Sequence, residues 1–179
     1  MRRLLENCLV IVGIALASGC VTENPRLPAP VAHIDAGDVT DANASLPSAG
    51  LLTTGQPGAA MLDAVAAAGF AAVIDFRGTG EDRGIDERQE VTARGMKYFS
   101  IPVAGSSDVN FDNAELLDRI LGGIDGPVLL HCKSGNRAAA ILALREKQNG
   151  ASAEAALQYG LDAGLTGHRN LVEQRLSEN

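Results

Sequence analysis

The chain has no tryptophan, two tyrosines and four phenylalanines, so aromatic residues make up 3% of its 179 positions. Any core must then be filled by Ala, Val, Leu and Ile. With 46% hydrophobic residues the supply is ample, which excludes disorder throughout. Basic residues are also scarce, 15 against 22 acidic, for a net charge of −7. That balance excludes a broad basic footprint and with it nucleic acid as a partner. An anion site has to be built locally. Three histidines are present, His33, His131 and His168, and His168 has no cysteine or second histidine at metal-ligand spacing. No metal site or organic cofactor is therefore expected. The length excludes a multidomain machine and predicts one domain with extensions.

Cysteine is the scarcest chemically active residue, at positions 8, 20 and 132. Residues 1–19 read as a secretory signal, with Arg2 and Arg3 as the basic region and Leu9–Ala17 as the apolar run. The run falls short of the roughly 20 residues that a membrane span needs. Leu16-Ala17-Ser18-Gly19-Cys20 resembles the bacterial lipobox, which implies cleavage before Cys20 and lipidation of its thiol. Cys8 leaves with the signal, and so do two of the basic residues and one acidic residue, moving the net charge to −8. Cys132 then remains as the one free thiol of an exported, lipid-anchored chain facing the periplasm.

Residues 20–48 carry Pro25, Pro28, Pro30 and Pro47 without a lasting hydrophobic period, and read as a tether whose C-terminal part packs on the domain. His33 lies here as an ordinary exposed side chain. The domain is expected over 49–179. Short apolar runs at 50–54, 71–76, 97–103 and 127–131 alternate with helical patterns at 61–68, 85–94, 111–124 and 137–148, with two further helical stretches at the end. This is an α/β chain with a central, mostly parallel sheet flanked by helices. Asp75 and Arg77 end a strand and are expected to pair.

The segment Pro127–Ala140 reads PVLLHCKSGNRAAA, a buried strand, a turn and an alanine-rich helix. Such a turn aims free backbone N–H groups and the positive helix end at one spot, which makes an anion cradle. Lys133, Ser134, Gly135 and Asn136 supply it. Gly135 is suited to a left-handed conformation, and Arg137 adds a planar cation at the rim. Cys132, at the start of the cradle, sits in a field that favours its thiolate and is the expected nucleophile.

His131-Cys132-x-x-Gly135-x-Arg137 resembles the signature loop shared by cysteine-dependent tyrosine and dual-specificity phosphatases and by rhodanese sulfurtransferases. Arg137 lies five positions after Cys132, a rhodanese-like spacing, whereas phosphatases place it at six, here Ala138. His131 is phosphatase-like. Together with Thr54-Gly55-Gln56-Pro57, Val73–Arg77 and Gly95–Val103, the pattern resembles the beta-lactamase-hydrolase-like "phosphatase-like domain" family over about residues 48–165. The resemblance implies a cysteine-phosphatase-like fold and hydrolysis of phosphate monoesters, from a phosphorylated protein or a small ester. It places the general acid after Ile101-Pro102-Val103, on Asp108 in preference to Asp112. His131 is read either as a support that hydrogen-bonds the loop and steadies the thiolate or as a satisfied core histidine. Two readings stand beside it: a sulfurtransferase that takes a sulfane sulfur from a donor as a Cys132 persulfide, and an envelope module that binds an anion without catalysis.

Overall fold

The computed structural model describes residues 44–178. The signal, Cys8, Cys20 and most of the expected tether, including His33, lie outside them. Five strands, β1 (Ser45–Ser48), β2 (Leu51–Thr54), β3 (Ala72–Arg77), β4 (Lys97–Val103) and β5 (Val128–His131), form one sheet in the order β1-β2-β5-β3-β4. Strands β2, β5, β3 and β4 run parallel and β1 is antiparallel at one edge. The last residues of the expected tether thus form an edge strand. Its short, polar sequence carries no period that would show this in advance.

The six helices are α1 (Ala59–Ala67), α2 (Glu87–Ala93), α3 (Phe111–Leu121), α4 (Asn136–Gln148), α5 (Ala153–Asp162) and α6 (Arg169–Ser177). Alternate strand residues point to opposite faces of a sheet. Ala72, Ile74, Phe76, Val128 and Leu130 therefore face the side covered by α3 to α6, while Val73 and Leu129 face α1 and α2 with Leu62, Val65 and Val91. The central strand β5 is buried along its whole length, which is why its sequence is apolar on both faces.

Helix α4 is the internal one, with every residue from Ala138 to Arg145 buried. Its small side chains let α5 approach closely. A Cβ at Gly160 would lie 2.8 Å from that of Ala143. The helix begins directly after the turn that leaves β5, so the cradle expected from the sequence stands at the carboxyl end of the central strand. Open α/β sheets bind their ligands at that end.

Candidate active site

Cys132 follows β5 and is fully buried on the α4 side of the sheet. Gly135 caps α4 with φ of 83°, the left-handed conformation expected for it. The turn is braced from Thr54-Gly55-Gln56: Gln56 N–H donates to the Lys133 carbonyl at 3.3 Å, and Gly55 forms a bridge with Ser134. The side chain of Gln56 also donates to the Arg83 carbonyl at 2.8 Å, tying the turn to the loop after β3.

That loop supplies a residue the sequence reading passed over within an acidic stretch. Glu81 takes both terminal nitrogens of Arg137 on its carboxylate, with Nη2 at 2.8 Å from Oε2. Arg137 Nη1 further donates to the Val103 carbonyl at 2.7 Å. Hydrogen bonding to Glu81 pushes the Arg137 guanidinium further into its charged form; burial opposes this and the nearby Cys132 sulfur adds to it. In return the Glu81 carboxyl is lowered to about 2, chiefly by the hydrogen bond from Arg137. Glu81 also accepts from Gly78 N–H at 2.6 Å, and Gly78 passes so close to Ala104 that a Cβ would meet that side chain at 3.1 Å.

These segments enclose a cleft of about 500 Å³ lined by Gly78, Thr79, Gly80, Glu81, Ala104, Gly105, Arg137 and His168. Of the expected site residues, Arg137 lines it. Lys133 and Ser134 are exposed beside it and contribute backbone groups to the brace. Asn136 differs from its expected role as a backbone donor alone: its Oδ1 accepts from Thr166 N–H at 2.8 Å and from His168 N–H at 3.4 Å, fastening the α5–α6 connection to the cradle.

Two expected site residues stand in surroundings the sequence does not show. Asp108, the expected acid, is not among the cleft-lining residues. It ends a short 3₁₀ turn, Ser106–Asp108, and its carboxylate accepts from Ala104 N–H at 2.9 Å and Gly105 N–H at 3.2 Å. A short acidic side chain in a turn satisfies its own backbone first. Asp112 lies exposed in the first turn of α3, where Asn110 is the cap. His131 does not hydrogen-bond the loop through its ring. It precedes Cys132 on the strand, so it faces the α2 side, where Nε2 lies 2.7 Å from Glu87 Oε1.

His131 belongs to a buried charge network beneath the site. Arg77 Nε donates to Asp75 at 2.9 Å, confirming the expected strand-end pair, and Arg77 also bonds Glu87. Arg83 Nε at 3.1 Å and the Tyr98 hydroxyl at 2.9 Å donate to the other Asp75 oxygen. Burial pushes the Asp75 carboxyl up, but hydrogen bonds from Arg77 and the proximity of His131 outweigh it and the net shift is downward. Tyr98 is raised to about 12 by burial and by the Asp75 carboxylate. Donor atoms of Asp75, Glu87 and His131 lie within 4.8 Å of one another. Arg77, shared by the two carboxylates, and Arg83 on Asp75 already supply two positive charges there, so the group is an ion-pair network and a poor cation site.

Residues 50–151, more than half of the chain, match the family described as "Beta-lactamase hydrolase-like protein, phosphatase-like domain". Beta-lactamase hydrolase-like proteins of Agrobacterium fabrum and Xylella fastidiosa are 34% and 35% identical over 104 residues, 56% of this chain and 24% of theirs. The chain thus spans about a quarter of the length of these curated relatives. Among solved structures, a Neisseria meningitidis protein superposes with a TM-score of 0.63 at 20% identity, over 74% of this chain and 98% of that one. The catalytic core of the PP-IP phosphatase Siw14 from S. cerevisiae gives 0.57 at 15% identity, over 76% and 85%. Tk-PTP in its active form gives 0.56 at 21%, over 77% and 98%. The fold is that of the cysteine phosphatases.

Proposed function

The chain belongs to the phosphatase-like domain family of beta-lactamase hydrolase-like proteins, and on that premise we propose that it hydrolyses phosphate monoesters through Cys132. The observation that carries this reading is the placement of the thiol. It stands at the carboxyl end of the central parallel strand, at the head of a turn closed by left-handed Gly135, beside an arginine already oriented by Glu81. The Cys132 thiolate attacks phosphorus as the ester oxygen leaves. Arg137 and the first-turn N–H groups of α4 hold the oxygens on which charge gathers. Water then cleaves the S–P bond, releasing phosphate and restoring the thiolate. Because Glu81 fixes the guanidinium in advance, little reorganisation accompanies the transition state.

Among the described residues, no phenylalanine, tyrosine or tryptophan lines the cleft, and three of its eight lining positions are glycine. This favours a small or flexible phosphate ester over one that needs an aromatic wall. The test uses the full chain: inorganic phosphate released from an aryl phosphate, with a phosphate trapped on sulfur in the wild type and both lost in Cys132→Ser. Absence of release overturns the reading.

One observation favours sulfur transfer as a second reading. Only four residues separate Cys132 from Arg137, which makes a tight cradle suited to a single terminal sulfur atom. Thiocyanate formed from thiosulfate and cyanide, without phosphate release, would decide for it; neither activity would leave a binding module. The basic start, apolar run and Cys20 support an envelope address for the chain, with a lipid anchor that labelling with a radioactive fatty acid detects and Cys20→Ser abolishes.

A further inference from the structure

The cleft carries three titratable side chains: Glu81, Arg137 and His168. Two of them are committed to each other. Asp108, the acid that the sequence suggests, does not line the cleft, and one of its carboxylate oxygens accepts from the backbone of Ala104 and Gly105. Among the described side chains that line the cleft, His168 is then the group free to give a proton to the leaving oxygen of a phosphate ester bound at Arg137.

We propose that His168 is the proton-transfer residue of this cleft. It lies beyond residues 50–151, the segment that matches the family, so it enters the site from the chain's own C-terminal portion. Its position is built rather than incidental. Asn136, the residue between Gly135 and Arg137, accepts from the N–H groups of Thr166 and His168, so the turn that presents the thiol also holds the segment that presents the imidazole. The charged groups sharing the cleft with it are Arg137 from α4 and Glu81 from the loop after β3. Burial, and then the Arg137 cation, lower its pKa from the ordinary 6.5.

The proposal rests on the hydrolase reading, and its steps balance. In the first half, sulfur bonds to phosphorus, the O–P bond breaks, and the imidazolium gives its proton to the departing oxygen. In the second, the neutral imidazole takes a proton from water as the water oxygen bonds to phosphorus and the S–P bond breaks. The imidazolium is then restored for the next turnover. A donor whose pKa is lowered acts in its acid form only at mildly acidic pH, so the alkaline limb of the kcat/KM profile falls below pH 6.5.

The test compares phenyl phosphate, whose leaving oxygen needs a proton, with p-nitrophenyl phosphate, whose leaving oxygen does not. In the full chain, His168→Asn lowers kcat on phenyl phosphate by about 100-fold and on p-nitrophenyl phosphate by no more than a few-fold, with KM nearly unchanged and the alkaline limb gone. Added imidazole restores part of the activity of His168→Ala, which a folding defect does not permit. Equal losses on both substrates without rescue overturn the proposal, as does an unchanged rate in His168→Asn or a transfer of the leaving-group dependence to Asp108→Asn. A wild-type chain that releases no phosphate overturns the hydrolase reading itself, and this proposal with it.

Discussion

Glu81 shows how a single carboxylate sets the state of the cation in the cleft. It fixes the plane of Arg137, and its own carboxyl is held at about 2 by that contact. A group whose folded pKa is depressed stabilises the fold above its ordinary value, here 4.5, and loses that contribution as pH falls toward 2. The difference in urea midpoint between wild type and Glu81→Gln is thus expected to be constant above pH 5 and to shrink between about pH 4.5 and 2. At neutral pH the same substitution leaves a neutral partner in place of a charge-assisted one, and kcat/KM falls about tenfold or more. The sequence showed Cys132, Gly135 and Arg137 because their types and spacing are dictated by one local turn. Glu81 and His168 reach the cleft from 56 and 31 residues' distance along the chain from Arg137, and no local pattern encodes such a meeting. Asp108 is a related case: in sequence a loop acid beside a strand end reads the same whether it faces a substrate or its own backbone, and here one of its oxygens accepts from that backbone.

At the scale of elements, α4 and α5 carry the stability of the cradle. Four alanines, at 138, 139, 140 and 143, stand on the buried part of α4, and Gly160 of α5 packs against this small surface. Gly160→Val drives two methyl groups into Ala143 and Leu165, and is expected to destabilise the domain by about 2 to 3 kcal/mol, read as a lowered urea midpoint. The main strands and helices were legible within a residue or two, since apolar runs and glycine stops mark them. Helix α3 ends at Leu121, short of the expected Ile124, because Gly122 and Gly123 close it before the last apolar residue. Strand β1 was not legible, because four residues, Ser-Leu-Pro-Ser, mix polar and apolar side chains on both faces and establish no period.

Across the whole molecule, the buried charges join the two halves of the site. Arg77 holds Asp75 and Glu87, Asp75 holds Arg83, and Arg83 Nη1 donates to the Glu81 carbonyl at 3.0 Å, so the network beneath the sheet end continues into the loop that orients Arg137. Removing the central cation leaves buried Glu87 without an arginine and Asp75 with Arg83 alone. Arg77→Met is expected to cost about 3 to 5 kcal/mol in stability, measured by urea unfolding, and to lower phosphate release in the fraction that remains folded. The pairing of Asp75 with Arg77 was legible from their spacing at a strand end. The contribution of Glu87 was not, because it arrives from a helix whose sequence reads as solvent-facing.

The direction of β1 has a bearing on orientation. Ser45 pairs with Thr53, and Thr54 with His131, so the edge strand begins beside the end of the sheet that carries Cys132, two strands or roughly 10 Å away in the plane of the sheet. Whatever precedes Ser45 therefore joins the domain on its reactive side.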